Sequence, residues 1–285
     1  MNELIIDISQ HNGNIDFAKV KRYGVKGCII RVGWIGNHDN HTLDKKFEEY
    51  YRGAKEQGIP VGFYVYSYCK TIENLRKGTM WVLDKIQDKE FTLPVFLDLE
   101  DDSISALGTD NFTEQALNFC RIIENSGYKY KSGVYASKYW WENKLEITKL
   151  LNYKIWLAEW GKKYNHSLAH KVDLWQYGSD GYVDGIDGRV DLNKCLCECL
   201  EKVEETENKN NDRNGDELEV KRYINGSTVE IVYSDTKLTK NIGYLNPRES
   251  CECLGVFENR AMVRYKVDRE NNYKIGFVKW LGGVK

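Results

Sequence analysis

The chain has 285 residues, 41% hydrophobic and 29% charged, which suits a soluble globular protein built as one large α/β barrel or as a smaller barrel with a companion domain. Its 41 Lys plus Arg nearly balance 43 Asp plus Glu, so a formal charge of −2 gives no electrostatic footprint for a nucleic-acid or anionic-membrane partner. No apolar run approaches the roughly 18 residues that span a bilayer, and the opening Met1-Asn2-Glu3-Leu4-Ile5-Ile6-Asp7 shows no signal peptide, so an extracellular target implies release by lysis or a holin-type pore.

In chain order, short runs rich in β-branched and aromatic residues fall at Leu4–Ile8, Cys28–Val32, Val61–Tyr66, Pro94–Leu99, Gly133–Ala136, Ile155–Ala158, Leu174–Tyr177 and Val190–Leu192, and each reads as a buried strand. Helical spacing lies between several of them. It is carried by Phe17, Val20 and Tyr23, by Phe47, Tyr50, Tyr51 and Ala54, by Leu75, Met80, Leu83 and Ile86, and by Ala116, Phe119, Cys120 and Ile123. Thr71 or Asn74 can cap the third helix, and Gly58 and Gly127 can stop the second and fourth. Strands apolar on both faces and separated by helices predict a parallel sheet, here an irregular, TIM-like β/α barrel over residues 1–197.

From Glu198 to Glu219 periodicity gives way to a charged, Asn-rich stretch, which reads as a linker. Residues 220–285 then show β-type segments at Thr228–Tyr233, Leu254–Phe257, Ala261–Val267 and Lys274–Trp280, predicting a small all-β domain. Of the eight cysteines, Cys28, Cys69 and Cys120 sit in apolar surroundings as core thiols. Cys195, Cys197, Cys199, Cys251 and Cys253 have single-residue spacing, unlike the pairs that bind zinc, and read as thiols or an interdomain disulfide. No metal or cofactor is expected.

In a β/α barrel chemistry sits at the carboxyl ends of the strands, and there this sequence places Asp7, Asp98 and Glu100, with Asp191 on the last strand. Asp98 and Glu100, two residues apart, project to one side of a strand and are close enough that one pKa must rise, as a general acid requires. Glu100, further out, is assigned as the acid. A lone Asp-x-Glu is more often a solvated strand end or a charge partner for a neighbouring Lys or Arg, but aromatic and amide groups end the same strands: Tyr64, Tyr66, Tyr135, Trp160, Trp175, Gln176 and Tyr177. Flat rings with polar tips suit sugars.

Together, Asp7-Ile8-Ser9-Gln10-His11-Asn12-Gly13, Ile15-Asp16-Phe17, Ile29-Ile30-Arg31, Val61-Gly62-Phe63-Tyr64, Leu93 through Glu100, Gly133-Val134-Tyr135, Ile155-Trp156-Leu157-Ala158, Leu174-Trp175-Gln176-Tyr177 and Gly188 through Asn193 resemble glycoside hydrolase family 25, the muramidase-type lysozymes of phage endolysins and bacterial autolysins. The resemblance implies hydrolysis, with retention, of the β-1,4 bond between N-acetylmuramic acid and N-acetylglucosamine in bacterial peptidoglycan. It maps the catalytic acid to Glu100, its partner to Asp98, and two further carboxylates to Asp7 and Asp191. Arg31, Tyr64, Tyr135, Trp160, Trp175 and Gln176 become the substrate-binding set. The family more often has Tyr at position 160, and frequently His where Val65 stands. Pro247-Arg248 and Gly276 through Leu281 resemble SH3-like modules that hold wall enzymes on peptidoglycan.

Two other classes compete. A Cys/His wall peptidase needs a paired cysteine and histidine, yet His11, His38, His41, His166 and His170 lie in polar stretches with no cysteine beside them. A non-catalytic glycan-binding barrel is argued against by the four retained carboxylates. His38-Asp39-Asn40-His41 invites a metal but lacks a third ligand. Oligomeric state is not legible.

Overall fold

The computed structural model describes residues 3–126, 130–161, 171–196, 222–224, 230–233, 241–245, 249–257, 260–266 and 273–279. The linker 198–219, Gly127, His166, His170, Cys197, Cys199, Pro247-Arg248 and Trp280 lie outside them. The chain divides into two compact units, one of Met1–Ile123 with Tyr130–Val203, the other of Glu204–Lys285 with Glu124–Lys129.

In the larger unit eight strands close into a barrel: β1 (Glu3–Ile8), β2 (Gly27–Ile35), β4 (Val61–Ser67), β5 (Val95–Asp98), β6 (Ser132–Ser137), β7 (Lys154–Ala158), β8 (Leu174–Gly181) and β9 (Val190–Cys195). A two-residue strand, β3 (Thr42–Leu43), hangs on β2. Neighbours from β1 through β8 run parallel, but β9 is antiparallel to both β8 and β1. This corrects the expectation of an all-parallel barrel. The connection from β8 to β9 contains no helix, so the chain turns straight back, which antiparallel pairing permits and a parallel crossover does not.

Helices α1 (Phe17–Tyr23), α2 (Phe47–Glu56), α3 (Ile72–Ile86), α4 (Thr109–Glu124), α5 (Lys138–Asn143) and α6 (Ile147–Leu150) accompany these strands. Helix α2 shows why they bind the sheet: positions 47, 50 and 54 form one apolar stripe, and Phe47 meets Phe63 of β4 at 5.4 Å between ring centroids. Thr71 caps α3, accepting from the Asn74 amide, while α2 ends at Gln57 with Gly58 next at φ 61°.

Alternation along the strands layers the barrel interior. Ile5, Ile29, Phe96, Trp156 and Leu174 pack its floor. Two residues on, or at the matching level, the same faces carry Asp7, Arg31, Tyr64, Asp98, Tyr135 and Gln176, so each strand turns from apolar to polar as it nears one rim. Gly133 permits this packing on β6, since a Cβ there would run into the Lys154 carbonyl and the Phe96 ring. Cys28, Cys69 and Cys120 are buried, and Cys195 is disulfide-bonded.

Among its described residues the smaller unit is a six-stranded antiparallel sheet of order β10 (Arg222–Ile224), β13 (Ser250–Phe257), β14 (Arg260–Lys266), β15 (Tyr273–Lys279), β11 (Glu230–Tyr233) and β12 (Asn241–Leu245). Val232, Leu245, Cys251, Ala261, Val263, Tyr265 and Val278 form its core. Strands β10 and β12 were not read from the sequence, being short and interrupted by polar residues.

Candidate active site

At the polar rim a cleft of about 410 Å³ opens, and Asp7, Asp98, Glu100 and Asp191 all line it. Asp7 is the last but one residue of β1, on the inward face, and Asp98 is the last residue of β5. Glu100 lies two residues further, past the end of β5 rather than on it as expected, with the Leu99 amide tied to the Tyr135 carbonyl. Asp191 arrives differently again. It stands near the start of β9, directly opposite Asp7 in the register, and reaches this rim because that strand runs the other way.

Burial dominates the electrostatics, because removing a carboxylate from water disfavours its charge. Glu100 is pushed up to about 7, first by desolvation and then by the Asp7 charge, against a contact with Tyr135 that favours the anion. Asp191 rises to about 8 by burial and by the adjoining Asp7, with which it shares a hydrogen bond. Asp98 is held well above the carboxylate range by burial beside Glu100 and Asp7, and the Arg31 guanidinium opposes that shift. Its Oδ1 is buried without a hydrogen-bond partner, as is Arg31 Nη2.

A polar network ties the rim together. The Tyr135 hydroxyl donates to Gln176 Oε1 at 3.1 Å and lies 3.5 Å from Glu100 Oε2. Trp160 Nε1 donates to the same Gln176 oxygen at 3.1 Å, and the Gln176 amide donates to Asp7 Oδ2 at 3.2 Å. Trp160 is 65% exposed, which leaves its ring free to meet a ligand at the cleft mouth. Tyr66 also lines the cleft, its hydroxyl donating to Asp101. Arg31 Nε donates to Asp44 Oδ2 at 2.7 Å, which aims the guanidinium inward.

Of the residues singled out from sequence, Asp7, Arg31, Tyr64, Asp98, Glu100, Tyr135, Trp160, Gln176 and Asp191 meet in this cleft, and Trp175 does not. Gln176 faces the barrel interior, so its neighbour Trp175 faces outward. There its ring is buried, its N–H donates to the Glu159 carbonyl, and Lys194 lies over it. Val65 is likewise buried on the outward face between Tyr64 and Tyr66, so a side chain at that position does not look into the cleft.

Sequence reasoning missed Trp156, which lines the cleft, and Asn193 and Asp44, which hold the lining residues Asp7 and Arg31 from behind. The first two lie on inward strand positions that the period of two could have disclosed; Asp44 sits at a turn and gave no local signal. Cys28 and Cys69 are buried away from the cleft, and burial raises both thiols, that of Cys69 to about 12. His38 and Asp39 form a left-handed turn at φ 54° and 58°, and His41 Nδ1 accepts from the Gly36 amide. Among the described residues no three His, Cys, Asp or Glu side chains are placed to hold a metal ion.

The profile of glycosyl hydrolases family 25 matches residues 6–186. An autolytic lysozyme of Clostridium acetobutylicum is 26% identical over 196 residues, covering 66% of this chain and 54% of that protein. The modular autolysin LytC from Streptococcus pneumoniae aligns structurally with a TM-score of 0.59 at 26% identity, over 67% of this chain and 46% of its own. This chain thus spans about half the length of those two relatives. The spore cortex lytic enzyme SleM of Clostridium perfringens shares the fold at 15% identity with a TM-score of 0.59, over 98% of both chains.

Proposed function

The chain belongs to glycosyl hydrolase family 25, and from that premise we propose that it is a lysozyme cutting the β-1,4 bond between N-acetylmuramic acid and N-acetylglucosamine in bacterial peptidoglycan. The observation that carries this reading is Glu100, a carboxyl at the open cleft raised to about 7 by its surroundings. A general acid for a glycosidic oxygen needs a proton that persists to neutral pH and a position from which to deliver it.

In this reading Glu100 protonates the leaving oxygen. Asp98 acts beside it, as nucleophile or by orienting the substrate's acetamido group, and either course retains configuration. Both roles need the Asp98 anion, which burial beside Glu100 and Asp7 disfavours and which the Arg31 guanidinium alone among its charged neighbours favours. Tyr64, Tyr135, Trp160 and Gln176 would border the sugar, Trp160 offering its exposed ring at the mouth.

We assign catalysis to residues 1–197, a linking role to 198–219, and to 220–285 an SH3-like wall-binding role, for which the small antiparallel sheet offers support by its strand pattern. The protein would reach the wall after lysis or through a holin-type pore. A Cys/His peptidase finds no support, because neither Cys28 nor Cys69 lines the cleft. Digestion of purified peptidoglycan tests the reading: new muramic-acid reducing ends are expected, and new amino termini in their place would make it a peptidase or amidase.

A further inference from the structure

Asp7 is the most connected of the four carboxylates, and its partners are all donors. Asn193 Nδ2 reaches Asp7 Oδ2 at 2.7 Å, and the Gln176 amide reaches the same oxygen at 3.2 Å. An amide can present either its NH₂ or its oxygen to a neighbour, so something must fix which end faces Asp7. Two indoles do so. Trp156 Nε1 lies 2.8 Å from Asn193 Oδ1 and Trp160 Nε1 lies 3.1 Å from Gln176 Oε1, and an indole N–H can only donate. Each amide must therefore turn its oxygen to the indole and its NH₂ to Asp7.

The two donors occupy Asp7 Oδ2 as they would a carboxylate, while Asp191, opposite Asp7 in the sheet and hydrogen-bonded to it, receives no such pair from the described residues. We propose that Trp156 and Asn193 are positioning residues that, with Gln176, fix Asp7 as the anion of a proton-sharing Asp7–Asp191 pair in which Asp191 holds the proton. This deepens the lysozyme reading and rests on it for its catalytic consequence: both members of the pair interact with Glu100, so where the anion sits sets the charge that the acid meets. Remove the indole N–H, and only the longer contact of Nδ2 to the Ile5 carbonyl, at 3.4 Å, still holds the NH₂ in place, so Asn193 can rotate its oxygen toward Asp7. The proton then shifts from Asp191 to Asp7, and the charge that Glu100 meets changes position.

The other ionisable groups facing Asp7 are Asp98 at the end of β5, Tyr64 on β4 and Tyr135 on β6, with Arg31 of β2 facing Asp98 and Tyr64. Tyr64 and Tyr135 pack edge-on against the Trp156 ring, with centroids 6.0 and 4.7 Å away, so Trp156→Phe keeps an aromatic ring in that packing, and Asn193→Leu, which leaves Trp156 in place, isolates the hydrogen bond.

The test uses the full chain carrying ¹³C-labelled carboxyls, as wild type, Trp156→Phe and Asn193→Leu, each confirmed as folded by near-ultraviolet circular dichroism. Carboxyl titration by nuclear magnetic resonance and the pH dependence of kcat/KM on peptidoglycan are recorded together. In wild type Asp191 should titrate as the proton-bearing member while Asp7 stays ionised. Both variants should exchange that order, and the alkaline limb of kcat/KM should move with it. Unchanged titration and a superimposable profile, with only kcat lowered, would reduce Trp156 and Asn193 to packing and overturn the proposal. If the wild type released no reducing ends, the lysozyme reading would fail, and the carboxyl titrations would still decide where the proton sits.

Discussion

Glu100 owes its raised pKa chiefly to burial, which has two consequences that can be measured separately. As an acid it works only while protonated, so kcat/KM on peptidoglycan should fall above about pH 7, the value to which its carboxyl is raised. Stability should follow the same group. Between its unfolded value of 4.5 and its folded value of about 7 the folded state binds more protons than the unfolded one. The slope of unfolding free energy against pH is therefore negative there, and stability falls as pH rises through that window. Calorimetry at pH 5 and pH 8 should show the melting temperature lower at pH 8 by about a few degrees, and Glu100→Gln should remove part of the drop. A melting temperature that rose with pH would contradict the burial argument. Asp7, Asp98 and Glu100 were legible in the sequence because each follows an apolar run at a strand end. Their hydrogen-bond partners were not, because a linear pattern does not say which amide of a distant strand comes to face which carboxylate.

Among the elements, the most consequential joint is the one at Asp44. Its carboxylate accepts from Arg31 of β2 and from the backbone amides of Gln10, after β1, and Lys46, before α2. The Asp44 side chain is fully buried and that of Arg31 only 12% exposed, so removing one partner strands the other's charge. Asp44→Ala should cost about 3–5 kcal/mol by urea denaturation, whereas exposed pairs such as Lys149–Glu146 should cost under about 1 kcal/mol. Equal, small losses for both would mean that the barrel tolerates a bare guanidinium. The antiparallel course of β9 escaped the sequence reading for a related reason: Val190–Leu192 is as apolar as its parallel neighbours, and direction is set by pairing with β1 and β8. Trp175 was misplaced because an aromatic at a strand end looks the same whichever face it occupies, and only its neighbour Gln176 reveals the register.

For the whole molecule, alternating strand and helix patterns followed by a change to strands alone were enough to foresee a barrel and a separate β unit. Closure of the barrel was not, since it depends on β1 pairing with both β2 and β9, and β9 lies nearly two hundred residues from β1 in sequence. If the two units divide their labour as proposed, a chain ending at Val203 should still release reducing ends from purified peptidoglycan but lose binding to intact cell walls in a sedimentation assay. Full wall binding by that shorter chain would remove the reason to assign attachment to the smaller unit. The central claim is more directly exposed by digesting purified peptidoglycan with the wild type and with Glu100→Gln, reading reducing ends and fragment masses. The account predicts muramic-acid reducing ends from the wild type and a loss of about 10²–10⁴-fold in the variant; equal digestion by both proteins would contradict it.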